Sequence, residues 1–551
     1  MSETEVPVLI VGASLVGLTT SMLLAQHGVR SLAVEYHRGT AIHPRAAQMT
    51  QRSMEILRAA GIEGVVRDRS AEQFVQDGGV VGVETLAGGV TTHYIANLNA
   101  GIRDVSPSER VFLSQNALEP ILRQRAEELG AELAFSTEVV SVQQDAEGVT
   151  AELRHRDTGE AKRVRARYLV AADGAHSRVR ERLGIAMRGH PTFSRSITIY
   201  FRANLRPLLE GQQVAVVYVN NDRLRGFFRF EKPFDSGFLV VNTAGDPANP
   251  LSDISAGLDD ARAREYLRIA LGVDIPVEID NIMRWNATAQ YAERMRAGRV
   301  FIAGDAAHVM PPNGGFGGNT GIQDAHNLAW KLAYVLSGRA DPALLDTYEE
   351  ERAPVAALTV EQAYTRYVVR TAPYLGLAGT QPLAPDLNIE LGYVYRSAAI
   401  VPDGHDDGAL HLNPRESRGR PGTRAPHVWL ARGGERVSTL DLTGRRFTVL
   451  GGPQAQRWCA AADQAAASVG VEIDVHRIGA GGLEDPDGAL CAAYGIEPDG
   501  CVLVRPDDFI AWCAGGGERG DAEELRGALS RVLGRVLGLG EGSSAAKAER
   551  A

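Results

Sequence analysis

Val6-Pro7-Val8-Leu9-Ile10-Val11-Gly12-Ala13-Ser14-Leu15-Val16-Gly17 is a short apolar run that meets a glycine. From Ser14 to Gly28 apolar residues then recur at helical spacing until a glycine stop. The reading is strand, glycine turn, helix. Ser31 to Glu35 (SLAVE) adds a second buried strand and completes a βαβ unit of the length a parallel crossover requires. The turn fits GxGxxG at its first and third glycines, Gly12 and Gly17, and carries Ser14 at the second. In a dinucleotide fold the first glycine makes the turn, the second lets backbone approach the pyrophosphate, and the third allows close helix packing. Ser14 is small, and its hydroxyl can donate to a phosphate. Glu35, at the end of the second strand, stands where a carboxylate would bind ribose hydroxyls. The competing reading is a helix start whose glycines serve only tight packing.

Working outward, helical patterns follow at 49–60 and 115–129, and strand-rich sequence with glycine turns runs from about 132 to 170. Residues 193–245 alternate more clearly, which predicts an antiparallel sheet and a second lobe. The chain then returns to a buried strand at 297–304 and to long helical stretches at 321–337 and 341–370. Residues 401–425 are rich in Pro, Gly and charge and read as a linker. A small α/β unit follows. The expected division is 1–185 and 285–400 for the dinucleotide-binding part, 186–284 for a substrate-binding sheet, 426–540 for the last domain and 541–551 for a flexible tail.

The composition is that of an ordinary globular chain. Its 551 residues allow three or four domains at about 150 residues each, with 44% hydrophobic and 23% charged residues. Acidic side chains outnumber basic ones, 68 to 58, so no global positive field attracts nucleic acid. No window supplies about 18 apolar residues free of charge and glycine, and the N-terminus is acidic, so neither a membrane span nor a secretory signal is expected. Cys459, Cys491, Cys501 and Cys513 show neither CxxC nor metal-ligand spacing. Reduced thiols, no metal and a cytoplasmic location are the expectation.

Two further motifs carry chemistry. Tyr168-Leu-Val-Ala-Ala-Asp173-Gly174 ends a buried strand in Asp-Gly, and Arg299-Val-Phe-Ile-Ala-Gly304-Asp305 ends another in Gly-Asp. The second leads into Pro311-Pro312-Asn313-Gly314-Gly315-Phe316-Gly317-Gly318-Asn319-Thr320-Gly321, whose glycines offer free backbone N–H groups ahead of a helix. Together the three motifs, in this order, resemble the class A FAD-dependent aromatic hydroxylases of the p-hydroxybenzoate hydroxylase-like fold. His43-Pro44-Arg45-Ala46, the stretch holding Gln115 and Arg123, and Leu503-Val504-Arg505-Pro506-Asp507-Asp508 extend the likeness over nearly the whole chain. It is nearest the aromatic polyketide hydroxylase branch, which carries a C-terminal thioredoxin-like domain.

The resemblance implies an α/β and α+β fold: a dinucleotide-binding βαβ FAD domain, an antiparallel-sheet substrate domain and a thioredoxin-like domain. It implies that Gly12, Ser14 and Gly17 meet the FAD pyrophosphate, that Glu35 binds the adenosine ribose, and that Arg45, Gln115, Arg123 and Asp305 contact the ribityl and pyrophosphate part. Asp173 and Gly174 would serve FAD and the nicotinamide cofactor, while Pro312, Gly315, Gly317, Gly318 and Asn319 border the isoalloxazine. NADPH or NADH would reduce FAD, O2 would add at flavin C4a, and the hydroperoxide would hydroxylate a polycyclic polyketide-type phenol or quinone. The cofactor does the hard step and the protein orients it. Backbone N–H groups around Gly315 to Gly318 would stabilise charge on the reduced flavin, and a cation near the substrate phenol would help it ionise. Arg370 is the candidate, against the alternative of a solvated helix arginine. Tyr218, Phe227, Phe228 and Phe230 share the predicted sheet, and Phe228 is expected against substrate.

Two alternatives remain: Baeyer–Villiger oxygenation of a polyketide ketone on the same scaffold, and a non-catalytic flavin-binding scaffold. A halogenase would show a WxWxIP stretch, which is not visible. The last domain lacks CxxC, so disulfide chemistry there is not expected. Self-association as a homodimer stays open.

Overall fold

The computed structural model describes residues 3–42, 47–244, 254, 257–479, 482–517 and 522–535. The expected cofactor contact Arg45, with His43, Pro44 and Ala46, and the expected tail at 541–551 lie outside the described residues. Two compact units divide the chain. One comprises 1–26, 30–325 and 355–386, the other 27–29, 326–354 and 387–551.

In the first unit the strand Glu3–Val11 pairs in parallel with Ser31–Val34 and with Ala161–Ala171, and the helix Leu15–Gln26 makes the crossover. The sheet continues in parallel to Glu132–Ala134 on one side and Val300–Ile302 on the other. Val8, Leu9 and Ile10 are fully buried, as strands covered on both faces must be. This is the βαβ core that the first glycine turn predicts.

A second eight-stranded sheet runs in the order His308–Val309, Glu278–Ala292, Met187–Arg202, Ser236–Ala244, Leu224–Glu231, Val214–Asn220, Gly79–Val83, Val90–Ile95. Its pairings are antiparallel except that Val214–Asn220 runs parallel to Gly79–Val83. The sheet thus draws two strands from well before the alternating stretch. One face carries Ile197, Ile199, Phe201, Leu239 and Val241 and packs on the helix Asp260–Leu271 through Ala263, Leu267, Ala270 and Leu271. The opposite face carries Tyr200, Tyr218, Phe227, Phe238 and Val240.

In the second unit, Phe447–Gly451, Gln456–Val469 and Ile473–Arg477 form a βαβ with parallel strands, and Cys501–Val504 and Ile510–Ala514 add antiparallel strands before the helix Ala522–Val532. That is the thioredoxin-like arrangement. All four cysteines are free thiols. No described helix is long and apolar enough to cross a membrane.

Candidate active site

The glycine turn sits at the carboxyl end of the first strand. Gly12 has φ +95°, and a Cβ there would lie 2.3 Å from the Ala172 carbonyl oxygen, while one at Gly17 would lie 1.8 Å from the Gly12 oxygen. Both positions are closed to any side chain. Ser14 Oγ donates to Glu119 Oε1 (2.5 Å), Gln115 Nε2 donates to both of these atoms (2.8 and 2.6 Å), and the Ala41 N–H donates to Glu119 Oε2 (2.6 Å). Glu119, fully buried, was not anticipated from sequence; its signal is the i, i+4 spacing from Gln115 on one helix face. Glu35 accepts the Ala13 N–H (2.8 Å) and the His37 N–H (2.9 Å), so it braces the turn from the second strand. Arg123 pairs with Glu127 (2.9 Å) and lies over the Phe135 ring, without joining the Ser14, Gln115 and Glu119 group.

The Asp-Gly and Gly-Asp motifs close on the same turn. Asp173 Oδ2 accepts the Val179 N–H (3.2 Å), whereas its Oδ1 is buried with no hydrogen-bond partner among the described residues, and burial pushes its carboxyl pKa up. Gly174 has φ +81°. A Cβ at Gly304 would meet the Val16 side chain at 2.7 Å, and one at Gly321 would meet Val16 at 2.5 Å and the Gly304 Cα at 3.1 Å. Asp305 is exposed on the single turn Gly304–Ala306. His308 is fully buried on Asp324 (2.7 Å), whose carboxylate also accepts the Gly304 N–H (3.0 Å), so this histidine holds the motif in place.

The helix expected from residue 321 begins at Gly317 instead. Gly317, Gly318 and Gly321 therefore lie in its first turns, and at Gly321 close packing against Val16 and Gly304 outweighs poor helix propensity. Asn319, expected beside the cofactor, has its side chain engaged by the protein. Its Oδ1 accepts from the Thr50 N–H (2.9 Å) and Ser53 Oγ (2.6 Å), and its Nδ2 donates to the carbonyls of Gln48 (2.9 Å) and Gly315 (2.7 Å). All its polar capacity is spent on tying the loop down. Gly315 (φ +68°) faces Gln48, and Pro312 is exposed.

Beside this loop, Asn313 Nδ2 donates to Tyr218 Oη (3.3 Å) and Thr371 Oγ1 (3.1 Å). Arg370, the last residue of the helix Thr347–Arg370, comes within interaction range of the same hydroxyl. Burial pushes the Tyr218 pKa up, and Arg370 pulls against it. Tyr218 packs edge-on to Tyr94 and beside Phe227. Phe228 corrects the sequence reading. It is completely buried on the other face, against Phe201 and Phe230, because strand alternation turns Phe227 and not Phe228 toward Tyr218.

These features fit an FAD pyrophosphate and ribityl chain. The helices opening at Leu15 and Gly317 have no acidic residue in their first turns and converge through Val16, Gly304 and Gly321, so two positive helix ends serve one place. The unpartnered Asp173 Oδ1 is an acceptor for a hydroxyl. Residues 5–363 match the FAD binding domain family, and residues 418–536 match the family described as aromatic-ring hydroxylase, C-terminal. The chain is 52% identical to a 4-methyl-5-nitrocatechol 5-monooxygenase from Burkholderia sp, over 97% of this chain and 98% of that one. It is 40% identical to the tetracenomycin A2 monooxygenase-dioxygenase of Streptomyces glaucescens, over 99% and 100%. Among solved structures, a ternary complex of aklavinone-11 hydroxylase with FAD and aklavinone superposes with a TM-score of 0.91 at 38% identity, covering 97% of this chain and all of that one. With both family regions present in order and relatives alike over their full lengths, this chain belongs to the FAD-dependent aromatic-ring monooxygenases.

Proposed function

We propose that this monooxygenase uses NADPH or NADH and O2 to hydroxylate a phenolic ring whose hydroxyl is held at Tyr218, Asn313 and Arg370. The convergence of these groups beside the glycine loop carries the reading. Gly12, Gly17, Asp173, Gly174, Asp305, Gly315, Gly317 and Gly318 hold the FAD, with Ser14, Glu35 and Gln115 around the turn. Bound FAD supplies the activation of oxygen. The protein supplies the rest. Arg370 offers a fixed positive charge that favours the substrate phenolate, which makes the ring electron-rich. Tyr218, kept neutral by burial, donates its hydroxyl proton in a hydrogen bond to that phenolate, and Asn313 orients the Tyr218 oxygen by donating to it. Asn319 and Gln48 keep the Gly315 loop in place.

A polycyclic, polyketide-type phenol is the first reading of the substrate. It draws support from the tetracenomycin and aklavinone enzymes among the relatives. A single-ring nitro- or alkyl-catechol is the second, favoured by the 52% identity to the nitrocatechol enzyme. The free thiols accord with a reducing, cytoplasmic setting. The experiment mixes FAD-loaded protein with NADPH or NADH in air and a panel of both phenol classes, following nicotinamide loss and product structure. Substrate-stimulated oxidation with one oxygen gained at a ring carbon is expected. Insertion beside a ketone would replace hydroxylation by Baeyer–Villiger chemistry, and no stimulated oxidation across the panel would overturn the reading.

A further inference from the structure

Beyond Arg370 the helix Thr347–Arg370 leads into a strap, residues 371–386, that returns along the helix's own last turns. The strap is tied at both ends. At its start Thr371 Oγ1 accepts from Asn313 Nδ2 (3.1 Å), and Tyr374 and Leu375 pack on the cluster of Ala287, Tyr367 and Ala372. Trp285 packs on that cluster too, and also on Tyr200, Phe238 and Val240, so the strap begins at one end of the aromatic face of the second sheet. On its return Thr365 Oγ1 donates to the Gln381 carbonyl (3.2 Å), Gln362 Nε2 donates to the Pro382 carbonyl (2.8 Å), and the Ala384 N–H donates to Gln362 Oε1 (2.9 Å). Between the ties, Gly376 (φ +74°) and Gly379 (φ +83°) shape a crown that leaves Leu377 66% exposed.

Arg366 carries the returning end to the flavin loop. It is fully buried, and all five of its N–H groups are used. Nε (3.0 Å) and Nη2 (2.5 Å) donate to Asp386 Oδ1, Nη2 donates also to the Ala384 carbonyl (2.7 Å), and Nη1 donates to the Gln362 carbonyl (3.1 Å) and Oε1 (2.8 Å). These bonds occupy the guanidinium plane and leave its face for a ring. Cζ stands 5.1 Å from the centroid of Phe316. Phe316 belongs to the glycine loop and is itself buried. Its ring fills the space beside Gly314, where a Cβ would lie 2.4 Å from it, and its carbonyl accepts the Thr320 N–H (2.8 Å) as the helix opens. The strap thus holds the loop 313–316 at two points, at Asn313 through Thr371 and at Phe316 through Arg366.

We propose that Arg366 is a positioning residue for hydroxylation: it transmits the closed position of the strap over the substrate to the loop that borders the isoalloxazine. The inference rests on the hydroxylase reading above. In productive turnover one oxygen atom of O2 enters the ring and the other leaves as water, with NAD(P)H supplying the electrons. With the loop displaced, water reaches the reacting centre and the same electrons and protons leave as H2O2. Arg366 touches neither reactant and acts through Phe316.

The test compares FAD-loaded wild type, R366M, R366K, F316L, D386N and the double variant R366M/F316L on the phenol that wild type hydroxylates best. Nicotinamide oxidised, hydroxylated product and H2O2 are measured in one sample, and Tm and FAD content are recorded beside them. The ratio of product to peroxide falls about tenfold in R366M and in F316L, and no further in the double variant, because both break one contact. R366K, which keeps a charge for Asp386 but offers Phe316 no plane, follows R366M, whereas D386N, which keeps the plane, loses less. A role in stability alone would lower Tm and FAD content and leave the FAD-bound fraction with the wild-type ratio, and that result overturns the proposal. So do losses that add in the double variant. Where R366M fails to fold, F316L decides, and a wild-type ratio in F316L overturns the proposal equally. A wild type that oxidises the nicotinamide cofactor without hydroxylating any phenol removes the hydroxylase reading itself, and the role of Arg366 with it.

Discussion

Tyr218 is a neutral phenol at working pH, because burial raises its pKa more than Arg370 lowers it. Replacing it with Phe removes the donor to the substrate phenolate and lowers kcat/KM about tenfold to a hundredfold in steady-state turnover, with FAD content unchanged. R370M acts differently. Without the cation the substrate phenol ionises less readily, so the acid limb of the kcat/KM profile moves up by about one pH unit or more. Gly12 is the most restricted residue of the turn, and G12A forces a Cβ to within 2.3 Å of the Ala172 oxygen at a positive φ. Flavin absorbance per mole of purified G12A protein is expected to drop to a small fraction of wild type. At this scale the sequence was legible where chemistry demands a residue type, as at Gly12, Gly17, Asp173 and Gly304. It was silent on Glu119, whose role depends on a helix meeting the turn from 105 residues away. It misdirected at Phe228, since which side of a strand faces a site follows from pairing and not from residue type.

Elements show the same division between local and distant causes. The βαβ crossover declares itself through periodicity, whereas the strand Gly79–Val83 joins the second sheet through a partner more than a hundred residues on and brings its hairpin neighbour Val90–Ile95 with it. The helix start at Gly317 was missed because glycine has poor helix propensity, and at Gly321 a close contact rather than propensity places it in the first turns. Within the second unit, the parts 326–336 and 347–354 of the helices Gly317–Leu336 and Thr347–Arg370 and the turn after Cys501–Val504 are joined by buried charges. Glu351 accepts from Arg505 (2.5 and 2.8 Å), Lys331 (2.7 Å) and Asn327 (2.7 Å), and Arg505 also pairs with Asp507. Burial alone would raise the Glu351 carboxyl, but Arg505 and Lys331 outweigh it and hold the group well below the usual carboxylate range. With its folded pKa depressed, Glu351 contributes stability in full above the ordinary value of 4.5, and that contribution is lost as pH falls below it. E351Q leaves two buried cations poorly compensated and is expected to cost about 3–5 kcal/mol in urea denaturation at neutral pH. The difference from wild type should narrow as the buffer is taken below pH 4.5.

For the molecule as a whole, the residues proposed to hold FAD, Gly12, Asp173, Asp305 and Gly317, all lie in the first unit. Ligand bound only to the folded state stabilises it by about 2.7 kcal/mol at a hundredfold excess over Kd. Thermal unfolding followed by far-ultraviolet circular dichroism should therefore separate FAD-stripped from FAD-loaded protein by several degrees, and in the loaded protein the shifted transition coincides with the release of flavin fluorescence. A uniform shift also in the transition followed by the near-ultraviolet signal of Trp458 and Trp512, which pack together in the second unit, would contradict this.

The interleaving of the units has a consequence for anyone who cuts the gene. The second unit takes 326–354 from the middle of the chain as well as everything from 387 onward. A fragment stopped near residue 400 would keep Lys331 and Glu351 and discard Arg505 and Asp507, and a fragment started there would do the reverse. The C-terminal module is therefore not a cassette to be swapped or expressed alone. A transplant between homologous enzymes has to carry residues 326–354 with it, and a two-plasmid split in the polar loop around Asp403 to Asp407 works only if both halves are made together.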